Sequence, residues 1–409
     1  MFLRATFGVL KSVDGGAHWR WICEEAMGFS GTWDPPIAVT PTGRLYVGLE
    51  RGLRYTDDGC AFRDVPELAG QLVRDLTLDE DGTVAAITGG PEGPVQVFRG
   101  GGKKAFQRAK GQIPGAVALT FEVAPSDAKR LYVTVQKGAN EEGLLYRSDD
   151  GGATYQELPV ALELEEGEQR GRLFVSAVDP KDRERVLVRR LSNKGSELLL
   201  STNGGKAFRR VLRMASAMYG FSKSADGASY YAASGLDAHG VYRSTDRGEH
   251  FEPVAKTGGL CLLSTPQGVL LCENGKGAQL VSRAGLDAKT FAPLSGYANI
   301  DGALGACATC VAPWAAMQVA IAPLLTPPGP ATAEAAPDAS IPPGPAPTAK
   351  SADAPRAKGC SCDTTGETAP VHPGWGAPGA LVFALLVLRR ARRGAAETHA
   401  PGSDFTPQH

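Results

Sequence analysis

The sequence predicts an all-β chain: a seven-bladed β-propeller, then a disordered Pro/Ala-rich linker and a short C-terminal apolar helix. Three observations carry this expectation. A motif of the form Ser-x-Asp/Asn-x-Gly-x-x-aromatic recurs along the first 295 residues. Its aromatic positions lie between 40 (Phe251 to Phe291) and 53 (Tyr155 to Phe208) residues apart, the length of a four-stranded blade. After about residue 323 the chain turns to proline, alanine and threonine and loses nearly all large apolar residues.

Composition agrees with many short strands. There are 51 glycines, aromatics make up 7% of the chain, and short apolar runs are broken by Gly, Asp and Pro. The 409 residues carry a net charge of −1 with no long block of one sign. Nucleic-acid partners are therefore not expected, because they need a basic patch or stripe. The six histidines are scattered. No Ser-His-Asp set, phosphate loop or metal constellation emerges, so no cofactor is expected.

Four copies of the motif are well formed. They are Ser12-x-Asp14-x-Gly16 with Trp19, Ser148-x-Asp150-x-Gly152 with Tyr155, Ser201-x-Asn203-x-Gly205 with Phe208, and Ser244-x-Asp246-x-Gly248 with Phe251. Three weaker copies lead to Phe62, Phe106 and Phe291. Seven anchors give seven blades. The acidic side chain can accept bonds from N–H groups of its own turn, the glycine can supply a positive φ, and the aromatic can anchor the hairpin. Acids spread around a ring cannot converge on one substrate, so a structural role is expected for them.

This motif resembles the Asp box, or BNR repeat, of sialidases, sortilin-like ectodomains and photosystem II assembly-factor propellers, over about residues 1–295. The resemblance implies that each box joins the third and fourth strands of a blade, away from the binding face. Sialidase chemistry would imply an arginine cluster, a Tyr/Glu pair and an Arg-Ile-Pro signature. No Arg-Ile-Pro occurs here, and Ile113-Pro114 lacks the arginine.

Around the boxes the strands repeat in fours. One blade reads 117–123, 131–135, 144–147 and 154–158, and the next reads 173–178, 186–190, 198–201 and 207–212. The first blade is short: 2–6, 8–11 and 18–22 supply its second to fourth strands. Either the stretch near Tyr297–Ile300 closes the ring, or the true start lies upstream. The second is the preferred expectation, because it also accounts for the absent signal peptide.

Of the eight cysteines, Cys261 and Cys272 flank Thr265-Pro266-Gln267-Gly268. If that is a tight turn, they face each other across a hairpin and form a disulfide. Cys307-x-x-Cys310 stands apart and suits a disulfide better than zinc. Spacing gives no support to Cys23–Cys60.

The propeller is expected to occupy 1–306, a cysteine-containing connector 307–323, and the linker 324–358. Then come Cys360 and Cys362, an apolar run over 376–388, and five residues (389–393) holding four arginines, before a disordered tail over 394–409. Thirteen apolar residues are short for a membrane span, and the arginines favour the cytoplasmic side. This order resembles the MYXO-CTERM sorting tail of myxobacterial surface proteins. The resemblance implies an exported protein held at the envelope or outer surface, cleaved near Cys360 or Cys362 by a sorting protease.

The expected function is a non-enzymatic binding or scaffold module. It would act as a monomer on a protein or glycan at the cell surface and touch the membrane through its tail. Candidate ligand-face loops carry Trp33 and Asp34, Glu50 and Arg51, Arg190, Asn193 and Lys194, and Asp237 with His239. A sialidase-like glycoside hydrolase and an assembly factor are the alternatives.

Overall fold

In the computed structural model, residues 1–325 are described apart from 30–33, 80, 92, 139–141, 162, 274–277 and 306. Trp33, the apolar run 376–388, Cys360 and Cys362 lie outside the described residues.

Seven four-stranded sheets form the propeller. Blade 1 holds β1 (Phe2–Ala5), β2 (Gly8–Lys11) and β3 (Trp19–Ile22). A one-turn helix α1 (Glu24–Met27) leads to blade 2, made of β4 (Ile37–Val39), β5 (Leu45–Leu49), β6 (Gly52–Thr56) and β7 (Arg63–Asp64). Blade 3 is β8 (Val73–Leu78), β9 (Val84–Thr88), β10 (Gln96–Gly101) and β11 (Lys104–Arg108). Blade 4 is β12 (Ala116–Ala124), β13 (Asp127–Lys137), β14 (Glu142–Ser148) and β15 (Gln156–Leu158). Blade 5 is β16 (Arg172–Asp179), β17 (Asp182–Ser192), β18 (Gly195–Ser201) and β19 (Arg209–Met214). Blade 6 is β20 (Met218–Lys223), β21 (Tyr230–Ser234), β22 (Val241–Ser244) and β23 (Glu252–Ala255). Blade 7 is β24 (Cys261–Thr265), β25 (Gly268–Cys272), β26 (Gln279–Ala284) and β27 (Ala292–Gly296). The described residues end with β28 (Ile300–Ala303) and helix α2 (Ala308–Leu325).

The core is not central but lies between blades. One apolar cluster joins Tyr46 and Leu53 of blade 2 to Leu76 and Phe106 of blade 3. Another joins Leu199 of blade 5 to Leu145 and Leu158 of blade 4, and the pattern continues around the ring. At about 25 cal/mol per Å² of apolar surface, this inter-blade burial is the main force that closes the ring.

The inner strands share a second device. β8, β12, β16 and β20 each carry a bulge, at Val73–Asp75, Ala118–Thr120, Val175–Ala177 and Met218–Gly220. A bulge unpairs one residue and re-aims its neighbours. Nearby polar side chains reach the next blade: Asp75 accepts from Phe121 N–H at 3.0 Å, Thr120 from Val175 N–H at 2.8 Å and Ser196 from Met218 N–H at 2.9 Å.

Blade 1 departs from expectation. The C-terminal stretch does join it, but β28 pairs parallel to β3 on the outer edge of the sheet. It does not take the innermost position, which no described strand fills. The order β1-β2-β3-β28 leaves β1 as the innermost strand of this blade.

The expected connector is largely helix α2. Cys310, Met317, Ala320 and Ile321 are buried, and Trp314 packs on Trp21 with ring centroids 5.8 Å apart. The cysteine pairing also differs from a self-contained Cys307–Cys310 bridge. Cys310 bonds to Cys23 and Cys307 to Cys60, with Cα–Cα distances of 5.4 and 5.0 Å. Cys23 and Cys60 are thus not partners: each ties a different blade to the start of α2. Cys261 and Cys272 sit directly opposite each other in the β24–β25 hairpin and form the third disulfide.

Candidate functional site

The antiparallel order of each blade separates the ring into two ends. Turns between third and fourth strands lie at one end. Crossings to the next blade, and turns between second and third strands, lie at the other.

The box turns occupy the first end and share one geometry. In all four well-formed copies the serine hydroxyl donates to the Asp or Asn oxygen two residues on, at 2.7–3.0 Å. The same hydroxyl accepts from the glycine N–H four residues on, at 2.8–2.9 Å. The acid or amide oxygen accepts a further N–H from His18, Thr154, Ala207 or His250. Gly152 has φ near +90°, and a Cβ there would lie 2.9 Å from both Ala109 of the preceding blade and the Tyr155 hydroxyl oxygen, so glycine is required. The Thr154 hydroxyl and N–H, with the Ser148 hydroxyl, hold the Asp150 carboxyl down at about 2. Asp14 is held well below the usual carboxylate range, chiefly by the His18 N–H and ring. These acids are committed to their own turns. Trp19 is buried, while Tyr155, Phe208 and Phe251 are half-buried against the blade cores.

At the other end, arginines gather around the beginnings of the inner strands. Arg4 of β1 donates to Pro35 O just before β4, at 3.4 Å. Arg74 of β8 donates to Ala118 O of β12 at 3.1 Å. Arg189 of β17 donates to Met218 O of β20 at 2.6 Å and stacks on Phe174 at 4.5 Å. Each therefore holds the entry of the next blade's inner strand. Arg74 and Arg172 flank β12 from either side. Burial, and then the positive charge of Arg172, lower the Arg74 guanidinium from its ordinary value. Sequence reasoning missed these residues, because single arginines within strands carry no motif.

The expected ligand-face residues are dispersed. Glu50 and Arg51 are exposed on the β5–β6 turn, and Asp34 is half-buried ahead of β4. Asn193 donates to Gly167 O and accepts from Gln169 N–H, so it shapes a loop, with exposed Lys194 beside it. Asp237 accepts from Gly258 N–H at 2.8 Å, and the His239 N–H bonds to Leu236 O. Arg190 is not on the surface: its side chain is 1% exposed. It bonds to Glu168 at 2.5 Å and Glu197 at 2.7 Å. Glu197 also meets Arg210 and Arg213, and Arg213 meets Glu165. Burial alone would raise the Glu168 carboxyl; the Glu165 N–H, Arg190 and Ser192 outweigh it and hold it at about 2. The acidic loop after blade 4 thereby locks onto blade 5.

A cleft of about 200 Å³ opens between blades 3 and 4, lined by Gln112, Ile113, Lys137, Tyr146 and Thr154. The Tyr146 hydroxyl donates to Glu157 at 2.6 Å. Among the described residues, no group of three or more His, Cys, Asp or Glu is placed to hold a metal ion.

No family model matches the chain, and no curated protein matches it. Solved structures do. "YCF48 bound to D1 peptide" is 12% identical with a TM-score of 0.40, covering 55% of this chain and 67% of that one. A GH74 enzyme from Niastella koreensis is 15% identical with a TM-score of 0.35, covering 71% and 54%. A GH74 xyloglucanase from Xanthomonas campestris is 15% identical with a TM-score of 0.32, covering 70% and 61%. The chain thus spans about half to three-fifths of the two glycoside hydrolase structures. At such identities the likeness concerns the fold alone, and the sheet order already states that fold: the chain is a seven-bladed β-propeller.

Proposed function

We propose that the protein is a non-catalytic binding module, exported and held at the cell envelope. Its ligand is a protein or glycan bearing acidic groups, bound where the inner strands begin. The observation that carries this reading is the gathering of Arg4, Arg74 and Arg189 at that end, each bonded to a backbone carbonyl at the entry of the next blade's inner strand. Their positive charge favours acidic ligands, and charge-assisted bonds to a carboxylate are strong. Export is supported by the three disulfides and by the sorting-type tail. Hydrolysis is the weaker reading. A sialidase needs a Tyr/Glu pair beside its arginines, and most other glycosidases need two carboxyl groups facing a substrate, whereas Asp75, next to Arg74, accepts from the Leu76 and Phe121 N–H groups.

The test is binding of the full chain to sialylated, uronic-acid and neutral oligosaccharides and to acidic peptides, across a salt series. Salt-sensitive binding of acidic probes, lost in R74A/R172A, is the expected result. Salt-insensitive binding of neutral glycans, or turnover of a fluorogenic sialoside or of xyloglucan, would replace the reading.

A further inference from the structure

The four cysteines at the start of α2 form a single sulfur cluster. Cys307 immediately precedes the helix and Cys310 lies in its first turn. The two residues belong to different disulfides, yet their sulfurs are 3.6 Å apart. Cys23, Cys307 and Cys310 are buried, at 0%, 1% and 0% exposure. Cys60 is half-buried and is the member that solvent reaches.

We propose that this cluster is a thiol–disulfide exchange site whose substrate is a small or protein dithiol, and that exchange releases α2 from the propeller. A dithiol's thiolate attacks the sulfur of Cys60, the least buried of the four residues. The Cys60–Cys307 bond breaks, a mixed disulfide forms on Cys60, and the electron pair leaves on Cys307. The Cys307 thiolate sits at the N-terminus of an 18-residue helix, where the partial positive charge of the unpaired N–H groups favours it. The disulfide sulfur of Cys310 lies 3.6 Å from it. Attack there forms Cys307–Cys310, breaks Cys23–Cys310 and expels the Cys23 thiolate. The second thiol of the dithiol closes on its own mixed disulfide and frees Cys60. Two disulfides and one dithiol become one disulfide, one oxidised dithiol and two thiols. The dithiol's two protons end on Cys23 and Cys60, and two electrons pass to the protein.

The consequence is mechanical. Cys23 and Cys60 are the covalent links from blades 1 and 2 to α2. A single two-electron reduction removes both, because the CxxC pair closes on itself. The helix is then held without disulfides, by the packing of Cys310, Trp314, Met317, Ala320 and Ile321.

The experiment is partial reduction of the folded full chain with about one equivalent of dithiothreitol, a dithiol. An acid quench follows, then labelling of free thiols with N-ethylmaleimide and disulfide mapping by peptide mass spectrometry. Circular dichroism of the same samples reports whether the blades stay folded. The expected major product carries labels on Cys23 and Cys60, retains Cys307–Cys310 and keeps its native spectrum. A major product labelled on Cys60 and Cys307 with Cys23–Cys310 intact overturns the proposal. So does a cluster that loses all four links together, or one that reacts only once the blades unfold.

Discussion

Trp19 in blade 1 donates its indole N–H to the Ser295 hydroxyl in blade 7 at 3.0 Å, across 276 residues of chain. Both residues are buried, so this bond joins blade 7 to blade 1 beside the crossing from β27 into β28. Ser295→Ala leaves the indole N–H buried without a partner. Such an orphaned donor costs about 1–3 kcal/mol. We expect the urea midpoint of S295A to fall with its slope unchanged, and W19F/S295A to lose less than the two single changes summed. A midpoint equal to wild type would show that water reaches the indole and that the bond is incidental.

In the box turns the serine, not the acid, is the costlier residue to lose. Ser148 is buried and its hydroxyl is the partner of the buried Gly152 N–H. Asp150 is exposed, and the Thr154 N–H it accepts can turn to water. S148A should therefore destabilise by about 1–3 kcal/mol. D150A should cost distinctly less in the same urea titration. Equal losses would place the strength of the turn in the carboxylate.

The boxes were legible because each is local: serine, acid, glycine and aromatic meet within eight residues. The Cys261–Cys272 bridge was legible for the same reason. What the sequence concealed is non-local. Arg190 reads as an exposed loop residue until Glu168, 22 positions earlier, folds back over it. Cys310 finds Cys23 only because ring closure brings β28 beside β3. Helix α2 carries Pro313 and Pro323 and shows no polar stripe, so no helical period announced it. The arginine staples Arg4, Arg74 and Arg189 depend on bulges and blade spacing, which leave no motif.

The Arg190 cluster makes stability depend on pH with a definite sign. Glu168 titrates at about 2 in the folded chain, below its ordinary value near 4.3 in an unfolded one. Its contribution is thus fully present above about pH 4.3 and lost as pH falls toward 2. R190M takes the buried guanidinium from Glu168, which is 1% exposed, and leaves Glu197 to Arg210 and Arg213; breaking a buried pair costs about 3–5 kcal/mol. We expect R190M to be strongly destabilised at neutral pH and to lose less than wild type on acidification, since Glu168 then binds its proton more readily. Parallel stability curves for the two proteins between pH 7 and 3 would show that the cluster is not coupled as the contacts indicate.

Removal of disulfides should rank by the loop each one closes. Cys261 and Cys272 are 11 residues apart, a loop whose closure is worth about 3 kcal/mol. Cys23–Cys310 spans 287 residues and Cys60–Cys307 spans 247, but they are not independent. With one in place, the other closes only the stretch from Cys23 to Cys60 and the short Cys307–Cys310 segment. Its separate contribution is then about 4 kcal/mol by the same relation. Cys23→Ser/Cys310→Ser should therefore lower the thermal midpoint slightly more than Cys261→Ser/Cys272→Ser. Removing all four staple cysteines should lower it by more than twice the single-staple loss, because the full ring then opens. If the quadruple variant melts with either staple variant, the ends of the ring are held by packing of α2 and Trp19 rather than by sulfur.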